Sequence, residues 1–257
     1  MHYLTPKAGR PAHRRFVIPA YRSVPYRKAT RHPWSCLLFL LPLLAAYEVG
    51  VVWVGGTQAD ALRNGVDAWL RWTLESFGLN QLYWVPALVA LIFIVWSIAR
   101  YEDRPNDLPG VWLGMAIESV VFGLGLWGLS RALGPLIDAV AIEPAPATAP
   151  GEGVAQVVTY VGAGIYEELV FRLVLYSGLV FGLRAVKTPA LLAVPLAAMV
   201  SATLFAGAHH IGPYGEAFDD YVFLFRVLAG LYFAALYQFR GFGIAVGAHA
   251  CFDVLVG

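Results

Sequence analysis

The chain has 257 residues, of which 59% are hydrophobic and 14% charged, and its formal net charge is +1. Soluble domains carry roughly 25% charged residues, so this composition cannot furnish a polar coat and excludes a purely water-exposed fold; part of the solvent must be lipid. The balanced charge gives no basic surface for nucleic acid, and none is expected as a partner. The only two cysteines, Cys36 and Cys251, lie in apolar runs, which argues against a disulfide framework or a thiolate metal site.

In chain order, residues 1–34 form a basic tail with Lys7, Arg10, Arg14, Arg15, Arg22, Arg27, Lys28 and Arg31 and no acidic residue. The apolar run behind it, Trp34 to Trp53, exceeds the core of about 7–15 residues of a signal peptide. It reads as a first membrane span with a tryptophan anchor at each end. Crossing the hydrocarbon takes about 20 apolar residues in a helix, and further stretches of that kind fall at roughly 82–99, 110–133, 154–183, 188–210, 221–239 and 241–257. A shorter element is predicted at 61–78. There Leu62, Val66, Trp69, Leu70, Thr73, Leu74 and Phe77 follow helical spacing, while Arg63, Asp67, Arg71 and Glu75 recur every four residues on another face. That pattern predicts an amphipathic helix lying in the interface. The expected fold is therefore all-α: a polytopic transmembrane bundle of about 7–8 helices with one interfacial helix. A Pro/Ala linker at 141–153 separates an N-terminal helical half, 35–140, from a second half, 154–257.

Loop charges set an expected orientation. Arg100 and Arg104, Arg184 and Lys187, and Arg240 would share the tail's cytoplasmic side, by the rule that cytoplasmic loops hold excess Lys and Arg. The acidic loops with Asp138, Glu143 and Glu152, and with Glu216, Asp219 and Asp220, would lie outside, as would the C-terminus. A multi-pass position in a bacterial plasma membrane is the expectation from the composition, with the bilayer itself a partner.

Ionisable groups inside a span cost about 2.5–3.5 kcal/mol each at the centre on insertion scales, so a cluster of them needs a reason. The fourth span contains Tyr166-Glu167-Glu168-Leu169-Val170-Phe171-Arg172. Arg172 lies four residues beyond Glu168, on the same face, and can neutralise it. Glu167 points elsewhere with no local partner, which makes it a candidate general base. The fifth span ends on Phe205, His209 and His210. The seventh contains His249 and Asp253 four residues apart, a spacing suited to an oriented His–carboxylate pair or to two ligands of one metal. Glu48, Glu118 and Arg226 also fall within spans, and a structural Glu118–Arg226 pair or a polar cavity lining is expected of them. Straight helices pose a difficulty, because Glu167 would sit mid-membrane, His209 near the outer face and His249 between them.

Taken in order, Glu-Glu-x-x-x-Arg, Phe-x-x-x-His and His-x-x-x-Asp resemble the CAAX protease and bacteriocin-processing family of intramembrane endopeptidases, which includes the eukaryotic CAAX prenyl endopeptidase. The matching residues are Glu167, Glu168 and Arg172, Phe205 and His209, and His249 and Asp253; the likeness covers about 154–257, and His210 is outside the pattern. The resemblance implies peptide-bond hydrolysis in a membrane-associated peptide or protein, such as a lipid-anchored or C-terminal sorting-signal substrate. Glu167 would activate water beside His209, while His249 and residue 253 bind the oxyanion or steady the water. The prenyl endopeptidases typically carry Asn where this chain has Asp253, and an ionised Asp cannot donate to an oxyanion. Glu167, His209, His249 and Asp253 are also a sufficient ligand set for catalytic zinc. The chain has no His-Glu-x-x-His helix, and the reading leans to a metal-free mechanism, with zinc as the alternative cofactor. A non-catalytic scaffold or immunity protein on the same fold, or a small proton-coupled transporter, are the competing functions; the clustering of polar residues in one half counts against the transporter.

Overall fold

The computed structural model describes residues 24–138, 153–212 and 215–257, with side chains left out of account at 133–138. Most of the tail and of the Pro/Ala linker lie outside the described residues. Within them the fold is helical and no strand occurs. A single turn, α1 (Tyr26–Ala29), leads into α2 (Pro33–Gly55), whose first turn is set by Pro33 and by His32, the Nδ1 of which accepts the Trp34 N–H. A 3₁₀ turn at Gly56–Leu62 leads to α3 (Gly65–Ser76). Next come α4 (Trp84–Ala99), α5 (Leu108–Asp138), α6 (Gly153–Glu168), a π-helical stretch (Leu169–Tyr176), α7 (Ser177–Ala185), α8 (Ala190–Ala208), α9 (Asp220–Arg240) and α10 (Phe242–Val256).

Four of these are long and apolar enough to cross a membrane by length and composition: Pro33–Leu62, Leu108–Ala132, Ala190–Ala208 and Asp220–Arg240. The other expected spans are present as helices but fall short for identifiable reasons. α4 and α10 have 16 and 15 residues, and the continuous helical run 153–185 carries Glu167, Glu168 and Arg172 in its middle. Large apolar side chains such as Leu91, Ile98, Leu113, Val121 and Leu191 stand exposed around the bundle, a surface that only a lipid solvent tolerates.

α10 is the central element. Every residue from Gly241 to Ala250 is buried, because α5, α6, α9 and α2 all pack on it. Small residues make the approach possible. A Cβ added at Gly164 of α6 would lie 2.8 Å from the Val246 carbonyl oxygen and 2.9 Å from the Ala250 methyl, so only glycine fits there. Gly241, with φ of 105°, makes the reversal between α9 and α10 in a backbone region open to glycine. Polar groups on α10 are thereby placed in the centre of the bundle, surrounded on every side.

Basic residues collect at one end of the bundle. Thr30 Oγ1 donates to the Arg240 carbonyl at 2.9 Å, and His32 Nε2 donates to the Arg100 carbonyl at 2.9 Å. These contacts gather Lys28, Arg31, Arg100, Arg184 and Gly241 around one cavity of about 740 Å³.

The structure alters two expectations about charge. Most of the acidic and basic row at α3 does not face water: Arg63 and Asp67 are buried and Arg71 half-buried, and Glu75 alone is exposed. Asp67 takes Arg63 Nη1 and Arg71 Nε at 2.8 Å each, and Glu48 of α2 accepts from Arg71 Nη2 at 2.7 Å and Arg63 Nη1 at 3.3 Å. An acid inside α2 demands cations, and α3 docks its charged face against the bundle to supply them, leaving Trp72 and Phe77 exposed instead. Burial alone would pull the Arg63 guanidinium down, but Asp67 and Glu48 beside it hold it above its ordinary range. Nor do Glu118 and Arg226 pair. Glu118 binds Arg240, and Arg226 Nη2 binds Glu216 at 2.8 Å, because Arg226 lies in the first half of α9 and Arg240 at its other end.

Candidate active site

Glu167 and Glu168 sit where α6 passes into the π-helical stretch. There the Ser177 N–H bonds the Arg172 carbonyl five residues back rather than four. Such widened turns often accompany functional sites. Glu168 and Arg172 are wholly buried, with Arg172 Nη1 at 3.2 Å from Glu168 Oε1. The guanidinium gives a further hydrogen bond to the Gly230 carbonyl at 3.2 Å and lies 4.4 Å above the Phe205 ring. The same Phe205 ring meets His209 edge-on at 5.0 Å and Phe171 at 5.4 Å. Phe205 thus separates the ion pair from the histidine while touching both.

His249, from the buried centre of α10, stacks on Phe233 at 4.4 Å between ring centroids. Its Nδ1 lies 2.8 Å from Glu168 Oε1. A carboxylate only accepts, so Nδ1 carries a proton, and the ring presents Nε2 to the cavity. His209 caps the end of α8, and its Nδ1 is 2.9 Å from the Phe205 carbonyl; by the same logic its Nε2 also faces inward. Both approach one atom, although His249 Nε2 lies nearer still to Asp253 Oδ2, at 3.5 Å. Glu167 Oε2 lies 3.7 Å from His249 Nε2 and 4.0 Å from His209 Nε2. The separations are too long for direct hydrogen bonds and suit a water held by all three. The other oxygen, Oε1, accepts from Asn64 Nδ2 at 2.9 Å.

Glu167, His209, His249 and Asp253 line one cavity of about 510 Å³, together with Asn64, Trp69, Arg226 and Phe233. The depth conflict dissolves in the helix lengths. Glu167 lies 18 residues before the end of α7 at Ala185, and His209 lies 19 residues after the start of α8 at Ala190. At a rise of about 1.5 Å per residue both stand roughly 27–28 Å from that turn, level with each other. The centrally buried α10 brings His249 to the same place.

Three further features refine the sequence reading. Glu167 has no partner on its own helix, yet it is not free, because Asn64 binds it from the other half of the chain. The nearest carboxylate to His249 is Glu168, whereas Asp253 Oδ2 stands 3.5 Å from His249 Nε2. His210 turns away from the cluster, its Nδ1 donating to the Glu216 carbonyl at 3.2 Å and its ring lying against Phe218. The helix expected at 61–78 takes Asn64 into its interior, whereas α3 starts at Gly65 and Asn64 caps it, its Oδ1 accepting the Val66 N–H at 2.9 Å. The available signal was Glu48, whose need for a cation points to Arg63 and Arg71 and so brings their loop over the bundle.

As donors, Glu167, His209, His249 and Asp253 are ordinary zinc ligands. Two ligands of one tetrahedral zinc stand roughly 3.3 Å apart, against 3.5–4.0 Å for the Nε2 and carboxylate separations here. Among the described residues no three such side chains are gathered tightly enough to hold an ion.

Comparison with known families places residues 150–255 under the model described as type II CAAX prenyl endopeptidase, Rce1-like. No curated protein and no solved structure matches the chain.

Proposed function

We propose that this chain, a membrane protein whose residues 150–255 belong to the type II CAAX prenyl endopeptidase family, is an intramembrane endopeptidase that uses Glu167 to activate water. The observation that carries this reading is the convergence of His209 Nε2 and His249 Nε2 on Glu167 Oε2, inside a cavity among apolar helices. Water held by these three atoms loses a proton to Glu167 Oε2 as its oxygen bonds to the scissile carbonyl carbon. The carbonyl electrons move to the oxygen, where His249, carrying a proton on each ring nitrogen, donates from Nε2 while Glu168 holds the Nδ1 proton. Glu167 then returns the proton to the departing amine as the C–N bond breaks. The substrate is a membrane-associated peptide or protein, since the cavity is bounded by helices that face lipid. In our reading the basic end of the bundle faces the cytoplasm, and the site lies towards the opposite end.

The test is cleavage of a membrane-tethered peptide by purified protein, with products identified by mass spectrometry; intact peptide after prolonged incubation would defeat the proposal. We propose a metal-free reaction, and Asp253→Asn separates it from the zinc alternative. Asn keeps the shape and adds a donor, so substantial activity should remain, with no stoichiometric zinc by elemental analysis. An inactive variant that regains activity only at high zinc would reverse that assignment, because a neutral amide is the poorer ligand.

Orientation is checked by labelling single cysteines in a background lacking Cys36 and Cys251. Lys187→Cys should react with a membrane-impermeant maleimide only from the cytoplasmic face and Ser76→Cys only from the other. Labelling of both from one face would overturn the assignment.

A further inference from the structure

Residue Asn64 lies far outside the 150–255 segment, yet its side chain reaches the proposed base. We infer that Asn64 is a positioning residue for Glu167, supplied by the N-terminal half of the chain, so that the helices of 150–255 alone do not complete the active site. The inference rests on the reading of Glu167 as the base.

The geometry leaves Asn64 one arrangement. Its Oδ1 is committed to the Val66 N–H at 2.9 Å, at the start of α3. The amide group must therefore face the other way, and Nδ2 donates to Glu167 Oε1 at 2.9 Å. The Asn64 backbone is fixed as well, because its N–H donates to Tyr47 Oη at 3.1 Å and that hydroxyl donates to Asp67 Oδ2 at 2.9 Å. Asp67 in turn is held by Arg63 and Arg71. From the other side, Tyr166, next to Glu167, donates to Glu48 Oε1 at 3.0 Å, and Glu48 binds the same two arginines. The buried charge network thus closes a ring through Glu48, Tyr166, Glu167 and Asn64.

The chemical effect follows from how the two oxygens of Glu167 are divided. With Oε1 occupied by a fixed donor, the carboxylate cannot rotate freely, and Oε2 is the one left to meet His209, His249 and water. Productive geometry must be held within about 0.5 Å for efficient catalysis. An Asn64 variant should therefore lower kcat while leaving KM nearly unchanged, because Asn64 acts on the base rather than on the substrate.

Asn64→Ser is the informative change. Serine caps a helix nearly as well as asparagine, so α3 is kept, but it is too short to reach Glu167. We expect kcat to fall on the order of 10²-fold, the loss a misplacement of about 1 Å can cause, with KM nearly unchanged and thermal unfolding close to wild type. Asn64→Asp, which also caps α3 but sets a second acid against Glu167, should be at least as slow, and Asn64→Gln should restore part of the rate. Infrared difference spectra against Glu167→Gln supply a readout independent of turnover: the Glu167 carboxylate band should shift in Asn64→Ser. Wild-type kcat in Asn64→Ser, or an unshifted band, would overturn the inference. If the wild-type protein cleaves nothing, the function proposal fails and the infrared result alone decides whether Asn64 holds Glu167.

Discussion

Glu167→Gln should abolish measurable proteolysis, lowering kcat by about 10²–10⁴-fold, the usual contribution of a general base, while leaving expression and thermal unfolding close to wild type. The two halves of this expectation have separate causes. Folding survives because glutamine retains an oxygen to accept the Asn64 amide and has nearly the same shape. Chemistry is lost because the atom facing His209 and His249 can no longer take a proton in its neutral amide form. The measurement is turnover of a tethered peptide alongside a melting curve in the same detergent. Wild-type turnover in the Gln variant would remove Glu167 from its role. A protein that fails to fold would instead show that the carboxylate's charge, rather than its basicity, is what the cavity needs.

How much of this site was legible in advance depends on how local each contact is. Glu168 and Arg172 are four apart on one helix, as are His249 and Asp253, so spacing alone brings each pair onto one face. The helices themselves follow from apolar length, although three of the seven expected spans, α4, α10 and the charged run 153–185, fall short of a crossing. What spacing could not reveal is which distant element closes on which. Glu168 prefers His249, 81 residues away, at 2.8 Å, because α6 and α10 are pressed together by Gly164. Asn64 reaches Glu167 across 103 residues, and the one signal for it is indirect, through the cations Arg63 and Arg71 that Glu48 requires. The charged row of α3 has the periodicity of a water-facing helix, and only its partner Glu48, half-buried in α2, turns that face inward. Depth was misjudged for a related reason. Counting from the ends of apolar runs treats every span as equally long, whereas the helices on either side of the turn after Ala185 differ in where they begin and end.

The other large effect concerns stability. Glu168→Ala and Arg172→Ala should each destabilise the protein by about 3–5 kcal/mol, the cost of stranding one member of a buried ion pair. Both side chains are fully buried, so water cannot take over from the missing partner. They differ in what else they release. Losing Arg172 also removes the hydrogen bond to the Gly230 carbonyl and the cation above Phe205, loosening α9 and the ring that backs His209. Losing Glu168 frees His249 Nδ1, so this variant should lose activity beyond what its lower stability explains. Together the two alanines leave no uncompensated charge, and the double variant should be milder than the sum of the singles, with a coupling of about 1–3 kcal/mol in a double-mutant cycle. Unfolding by a graded denaturing detergent measures all four corners of that cycle. Additive losses would mean that the 3.2 Å approach of the two groups contributes nothing, and that the buried guanidinium is instead held by Gly230 and the aromatic rings alone.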